Sequence, residues 1–216
     1  MNETGDLSNL RKSYEKGLIS DEFKSFSPFF IFKKWFEEAN NDKTILEPNA
    51  MTLSTINNKQ YPKSRVVLLK KFDLIGFTFF TNYDSDKGKS ILNNNNVCLN
   101  FYWPSLEKQI IIKGKANRIS EKESNDYFNS RPLGSQIGAI VSSQSEIIES
   151  REILERKFKE VNKYYSNTKP KRPANWGGYL VKPDLFEFWQ GRKNRLHDRL
   201  EFILDGNIWN SNRLSP

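Results

Sequence analysis

Three groups of residues in this 216-residue chain have the types and spacing to hold anions. The first is Ser64-Arg65-Val66-Val67-Leu68-Leu69-Lys70, in which two cations bracket four apolar residues. At the two-residue period of a strand, Arg65, Val67 and Leu69 share one face and Val66, Leu68 and Lys70 the other. Cations at both ends of a buried strand could hold two anions on opposite sides, although two solvated strand ends would read the same way. The second group is Tyr127-x-x-x-Arg131-x-x-x-Ser135. A phenol, a guanidinium and a hydroxyl at four-residue spacing can converge on one phosphate across a helix end. An ordinary helix terminus, with Arg131 offsetting the C-terminal dipole, uses the same residues. The third group runs from Trp189 to Arg199 and holds Arg192, Lys193, Arg195 and the one histidine, His197. Asp198 and Glu201 partly balance its charge, which suits a convergent small-molecule pocket better than a nucleic-acid stripe.

The rest of the composition narrows the classes. Lys and Arg number 34 against 26 Asp and Glu, a net charge of +8 that favours an anionic partner. One cysteine, Cys98, excludes an intrachain disulfide, and with one histidine there is no Cys/His zinc cage. No apolar run reaches the length of a membrane span. Residues Met1 to Leu10 include Glu3 and Asp6 and lack the apolar stretch of a secretory signal. The expectation is a soluble, reduced, cytoplasmic protein without a metal. Hydrophobic residues make up 37%, but aromatics reach 13%, and large rings supply enough buried area for a core. Neither a G-x-G-x-x-G fingerprint nor a P-loop is present.

The elements that must position these groups follow from periodicity. Residues 1–25 read as an arm or a short loose helix, and residues 26–216 as one domain. Ser27-Pro28 opens a helix with Phe32, Trp35, Phe36 and Ala39 on its buried face. Strands are expected at 50–56, 64–72 and 76–81, with a turn at Asp73-Leu74-Ile75-Gly76. A short helix at 85–94 precedes a strand pair at 97–103 and 109–119. Ser120-Glu121-Lys122-Glu123 is a capping box, and Pro132 separates its helix from the next. A longer helix is expected at 147–165, with Ile147, Ile148, Leu154, Phe158 and Val161 as its apolar stripe. After a linker at 169–173, final strands are expected at 178–182, 185–190 and 199–204. Sequential hairpins argue for an antiparallel barrel or sandwich with flanking helices.

Taken in order, several of these segments carry a resemblance. Arg65-Val66-Val67-Leu68-Leu69-Lys70, Phe80-Thr81-Asn82, Ser130-Arg131-Pro132, Ser135-Gln136-Ile137-Gly138-Ala139, Phe188-Trp189-Gln190-Gly191 and Arg195-Leu196-His197-Asp198-Arg199 together resemble the pyridoxine (pyridoxamine) 5′-phosphate oxidases. The resemblance extends from Leu10-Arg11-Lys12-Ser13-Tyr14 to the closing Arg213-Leu214-Ser215-Pro216. It implies an antiparallel split β-barrel that dimerises through a C-terminal hairpin region at about 172–216. FMN would lie at the subunit interface, and the substrates would be a phosphorylated pyridine and dioxygen, with no nucleic acid or membrane partner. Arg65, Lys87 and Ser145 would contact the FMN phosphate. Val66, Val67, Leu68, Leu69, Lys70, Phe80 and Thr81 would line the cofactor, with Gln109, Gln144, Trp189 and Arg199 completing its site, some from the other subunit. Lys70, Tyr127, Arg131 and Ser135 would hold the substrate phosphate. Arg195, Leu196 and His197 would meet the pyridine ring, Arg195 and His197 from one face of a strand with Leu196 packed behind. Arg11 and Tyr14 resemble the arm that closes over bound substrate. Two departures stand out: Asp86 where a basic residue is common, and Glu47 where an Asp is common. The alternatives are a related split-barrel flavoprotein with another substrate and a basic nucleic-acid-binding module.

Overall fold

The first helix, α1 (Pro28–Asn41), starts at Pro28, whose fixed φ suits the first turn; Ser27 precedes it in extended backbone without a side-chain cap bond. In the computed structural model, which describes Gly5 and residues 7–216, α1 buries Phe29, Ile31, Phe32, Trp35 and Ala39. Part of the sequence reading of the first ten residues, at 1–4 and 6, lies outside the described residues. The strands β1 (Ala50–Ile56), β2 (Pro62–Leu68), β3 (Lys71–Phe72) and β4 (Phe77–Asn82) follow, then α2 (Asp86–Asn93), β5 (Asn96–Trp103) and β6 (Lys108–Arg118). The helices α3 (Glu121–Ser130), α4 (Leu133–Val141) and α5 (Arg151–Tyr164) precede β7 (Trp176–Gln190), β8 (Asp198–Asp205) and β9 (Ile208–Leu214). The fold is mainly antiparallel β with flanking helices, as the hairpin pattern implies. Among the described residues, no helix is long and apolar enough to cross a membrane.

The chain forms two compact units. One comprises Met1–Pro48, Asn100–Ile111 and Leu185–Pro216; the other comprises Asn49–Leu99 and Ile112–Asp184. In the first, Phe32 packs edge-on against Phe101 and Trp35 against Phe188, while β8 and β9 form a hairpin. In the second, Met51, Leu53, Phe77, Phe79, Ile112 and Val181 are buried.

The pairing order β2-β1-β5-β6-β7-β4-β3 explains the shape of the second unit's sheet. Its end strands, β2 and β3, are separated in sequence by only Leu69 and Lys70. The Leu69 N–H donates to Asn49 O beside β1, and the next N–H, that of Lys70, donates to Thr78 O on β4, both at 2.8 Å. One dipeptide therefore ties both ends of the sheet together, which requires the sheet to curl.

That closure corrects the first expectation. The predicted strand over 64–72 is two strands, because the chain changes partners at Leu69-Lys70, and Lys70 lies at the bend outside both. Nor is β2 a buried strand: it stands at the end of the pairing order, and Val66 is 67% exposed.

Other differences have equally local causes. The helix expected from residue 147 begins at Arg151, leaving Ile147 fully exposed and only Leu154, Phe158 and Val161 as the helical stripe. The strands expected at 178–182 and 185–190 are one, β7, despite Pro183. β7 pairs with β4 through Val181 and with β8 from Leu185, so Pro183 falls where neither ladder needs its missing N–H. β9 was not foreseen, because its alternation is broken by Asn210, Asn212 and Arg213.

Candidate active site

Arg65 opposes Leu53 in the β1–β2 register. Its Nη1 donates to Leu53 O at 3.2 Å and Thr55 Oγ1 at 2.8 Å, and its Nη2 is buried without a hydrogen-bond partner. Around it stands the start of α2. Ser85 caps this helix by accepting from the Gly88 N–H, and Lys87 is buried in its first turn. The Lys87 ammonium donates to Gln144 Oε1 at 3.1 Å, an oxygen that also accepts from the Thr81 hydroxyl at 3.1 Å. Ser145 Oγ accepts from the Asp86 N–H at 3.3 Å. Burial, and then the neighbouring Arg65 charge, lower Lys87 to about 8. Burial also lowers Arg65, with Asp86 opposing. Desolvated cations and an unpaired guanidinium nitrogen beside the N-terminus of α2 make a donor set for a phosphate monoester. The chemistry of this set fits the terminal phosphate of FMN.

The second group sits on α3, α4 and the strands beside them. A cavity of about 630 Å³ is lined by Lys70, Tyr127, Arg131 and Ser135, and equally by Val66, Val67, Leu68, Phe80, Thr81 and Gln144. Residues far apart in sequence thus share one concavity, of ordinary size for a small-molecule site. The α3 helix starts at the expected capping box, Ser120 with Glu123, and ends at Arg131, held extended before Pro132. The Arg131 guanidinium lies over the Trp176 ring at 4.6 Å, and its Nη1 is buried without a partner. Tyr127 stacks on Phe80 with centroids 3.8 Å apart. Burial lowers Arg131 and raises Tyr127. Leu69 does not line this cavity: its side chain is buried in the core, and Asn49 takes both its N–H and its carbonyl. A larger depression, about 1050 Å³, lies by Asn125, Gln136 and residues 165–172 and contains none of the sequence-selected site residues.

The remaining selected residues gather in the other unit. His197 packs against Trp189 at 4.8 Å and Tyr14 at 5.7 Å. Its Nδ1 accepts from the Arg192 N–H at 3.1 Å, which leaves Nε2 as the donor of the neutral ring. Burial, then the Arg195 charge, lower its pKa, so it is neutral at neutral pH. Arg195 and His197 do not share a strand face: Lys193–Arg195 is a short turn, Arg195 takes φ +60°, and β8 begins only at Asp198. Leu196 is 69% exposed and packs behind neither. The reason is local, since Asn194 and Arg195 both adopt left-handed backbone and no strand ladder can form there. Arg199 is engaged with Glu187 at 2.8 Å and Ser215 O, and Gln109 donates to Asn100 Oδ1 at 2.7 Å. Arg11 is exposed, with its Nε on Ser8 O.

Sequence reasoning missed three residues here. Lys63 forms an ion pair with Asp86, and its period-two spacing from Arg65 was a legible signal. Trp176 lies 45 positions from Arg131, and no local pattern announces their contact. Glu107 is a buried carboxylate in the β5–β6 turn, and no local pattern marks it.

Comparison with known proteins gives consistent matches. Residues 38–165 match the family model described as pyridoxamine 5′-phosphate oxidase, and residues 176–216 match the pyridoxine 5′-phosphate oxidase C-terminal dimerisation region. The pyridoxine/pyridoxamine 5′-phosphate oxidase of Flavobacterium psychrophilum is 54% identical over 98% of this chain and 99% of its own. That of Christiangramia forsetii is 48% identical over the same shares. Among solved structures, PhzG from Burkholderia lata, in complex with tetrahydrophenazine-1-carboxylic acid, superposes with a TM-score of 0.86 at 28% identity, over 95% of this chain and 100% of its own. A pyridoxamine 5′-phosphate oxidase-related, FMN-binding protein from Nostoc punctiforme superposes at 0.70 and 14% identity, over 89% and 100% of the two chains, a likeness of fold.

Proposed function

The chain belongs to the pyridoxamine 5′-phosphate oxidase family, with its split-barrel fold, and we propose that it oxidises the 4′-carbon of pyridoxine 5′-phosphate or pyridoxamine 5′-phosphate to give pyridoxal 5′-phosphate. The observation that carries this reading is the pair of half-buried guanidinium groups, Arg65 and Arg131, each with one buried nitrogen lacking a partner. The reaction brings two phosphate monoesters, one on the cofactor and one on the substrate. Bound FMN would supply the redox chemistry, taking up the hydride lost by the 4′-carbon, with dioxygen as the final two-electron acceptor and hydrogen peroxide as its product.

The chain's own residues bind and orient. Arg65, Lys87 and Ser145 hold the cofactor phosphate, and Val66, Val67, Leu68, Phe80, Thr81 and Gln144 line the cofactor. Lys70, Tyr127, Arg131 and Ser135 hold the substrate phosphate. Anchoring both reactants by their phosphates makes the transfer effectively unimolecular. In a homodimer, which the matched C-terminal dimerisation region supports, Gln109, Trp189, Arg199, Arg195, His197 and the arm residues Arg11 and Tyr14 complete the site, some from the partner subunit. With the amine substrate, hydrolysis of the imine product releases ammonia.

Purified protein should be yellow, release FMN and not FAD on denaturation, and form the aldehyde from pyridoxine 5′-phosphate while consuming dioxygen. A colourless protein that FMN cannot reconstitute removes the reading. Arg195→Leu and His197→Ala should keep FMN and the dimer but lose kcat/KM, with Arg195 the costlier loss. If either variant loses FMN while its turnover per flavin stays normal, that residue only braces the turn.

A further inference from the structure

Glu107 is a carboxylate that the chemistry above does not use, yet its side chain is only 2% exposed. A buried carboxylate persists only where donors replace its water. Here the donors come from the N-terminal arm: the Glu15 N–H at 2.7 Å and the Lys16 N–H at 2.9 Å both reach Oε2. The Lys12 ammonium stands 3.8 Å from Oε1. Glu107 itself takes φ +56° at the tip of the β5–β6 turn, a left-handed position where glycine or asparagine is the easier residue.

The backbone of the same residue fastens the other side. The Glu107 carbonyl accepts from the Gly191 N–H at 2.8 Å and from Gln190 Nε2 at 3.1 Å. The packing is tight at Tyr14 and at Gln190. A Cβ on Gly191 would lie 2.7 Å from Tyr14 Cγ, and one on Gly17 would lie 2.7 Å from Gln190 Oε1. The Tyr14 ring meets Trp189 and His197 edge-on, each at 5.7 Å. The Lys193 and Glu15 side chains pair at 3.2 Å, and Arg192 donates to Gly17 O at 3.2 Å. The Lys193–Glu15 pair is at the surface, whereas the Arg192 bond and the two bonds to the Glu107 carboxylate are part-buried and made to arm backbone.

We propose that Glu107 is a positioning residue: by gripping the backbone of Glu15 and Lys16 it holds Tyr14 against His197 and Trp189, and so sets the substrate-facing geometry of the arm. The functional half of this inference rests on the substrate roles given above for Tyr14 and His197.

The test uses the full-length, FMN-loaded protein. Glu107→Gln keeps one acceptor but loses the charge. Its KM for pyridoxine 5′-phosphate should rise about tenfold, the scale of one charge-assisted hydrogen bond, with kcat and FMN content little changed. Trypsin should cut faster after Lys12 and Lys16 in this variant than in the unaltered protein. In a Tyr14→Ala background, Glu107→Gln should add no further rise in KM, because the group it positions is gone. Gly191→Ala, whose Cβ would press on Tyr14 at 2.7 Å and more lightly on Glu107 Cβ at 3.1 Å while keeping the carboxylate charge, should reproduce the KM rise and carries the test if Glu107→Gln folds poorly. Additive KM effects in the double variant, or unchanged cleavage in Glu107→Gln, overturn the proposal. If the unaltered protein oxidises neither vitamer, the assigned reaction fails, while the cleavage comparison still decides whether Glu107 holds the arm.

Discussion

The two guanidinium groups with an unpaired nitrogen sit in opposite kinds of surroundings. Arg65 is among charges: Lys87 and Lys63 add to it, and Asp86 subtracts. With Lys87 protonated, those four groups sum to +2, which matches a phosphate dianion. Arg131 is among rings, over Trp176 and near Phe128, and no carboxylate lines its cavity. Charge matching suits a ligand that stays, because the bound dianion cancels a charge that the empty site must leave unpaired. A ring-backed guanidinium is held flat and partly dried, so its hydrogen bonds are directional while the site can still exchange its ligand. On the proposed reading, the difference is one between a cofactor anchor and a substrate anchor.

The largest test of this contrast exchanges the two losses. Arg65→Ala should weaken FMN binding, read by quenching of flavin fluorescence, by roughly 1.5–3 kcal/mol, or about one to two decades. Arg131→Ala should raise KM for the phosphorylated substrate by a similar factor and leave FMN content nearly intact. Crossed results would mean the two anchors are wrongly assigned.

A smaller effect belongs to Lys87. Its free-site pKa of about 8 must rise when a dianion binds beside it. FMN binding should therefore take up a proton above about pH 8 and weaken there by up to about tenfold per pH unit. Calorimetry in buffers of different ionisation enthalpy reads the uptake, which Lys87→Met should abolish. A flat pH profile would remove Lys87 from the anchor, and substrate KM for the loaded enzyme should not share this dependence.

The smallest effect is expected at Asp86. Its pKa is lowered first by the hydrogen bond from Lys63, and both side chains are about half exposed. Asp86→Asn removes a negative charge near the phosphate and frees Lys63, so FMN should bind tighter by about 1 kcal/mol or less. Weaker binding would show that the ion pair shapes the start of α2 and does not merely trim its charge.

Much of this was legible before any coordinates. The Ser27-Pro28 start, the Ser120–Glu123 capping box and the Pro132 break are short-range signals, and each governs the helix end where it stands. Tyr127, Arg131 and Ser135 share the cavity that their spacing suggested. What was not legible depended on partners. The end of β2 at Leu68 follows from Asn49 and Thr78 lying on either side of Leu69-Lys70. The continuity of β7 through Pro183 follows from a change of neighbour that no property of Pro183 reveals.

The sequence by itself determined the balance of charge, the helix boundaries set by caps and prolines, and the residue types able to hold two phosphates, because these depend on neighbours within about four positions. Only the tertiary structure decided that Arg131 lies on Trp176, that Asp86 is answered by Lys63, and that Glu107 holds the arm at Glu15 and Lys16. Those contacts join residues 23 to 92 positions apart. Chain closure over such distances is directed by burial of the whole core, not by the pair that finally meets, so local pattern carries no trace of it.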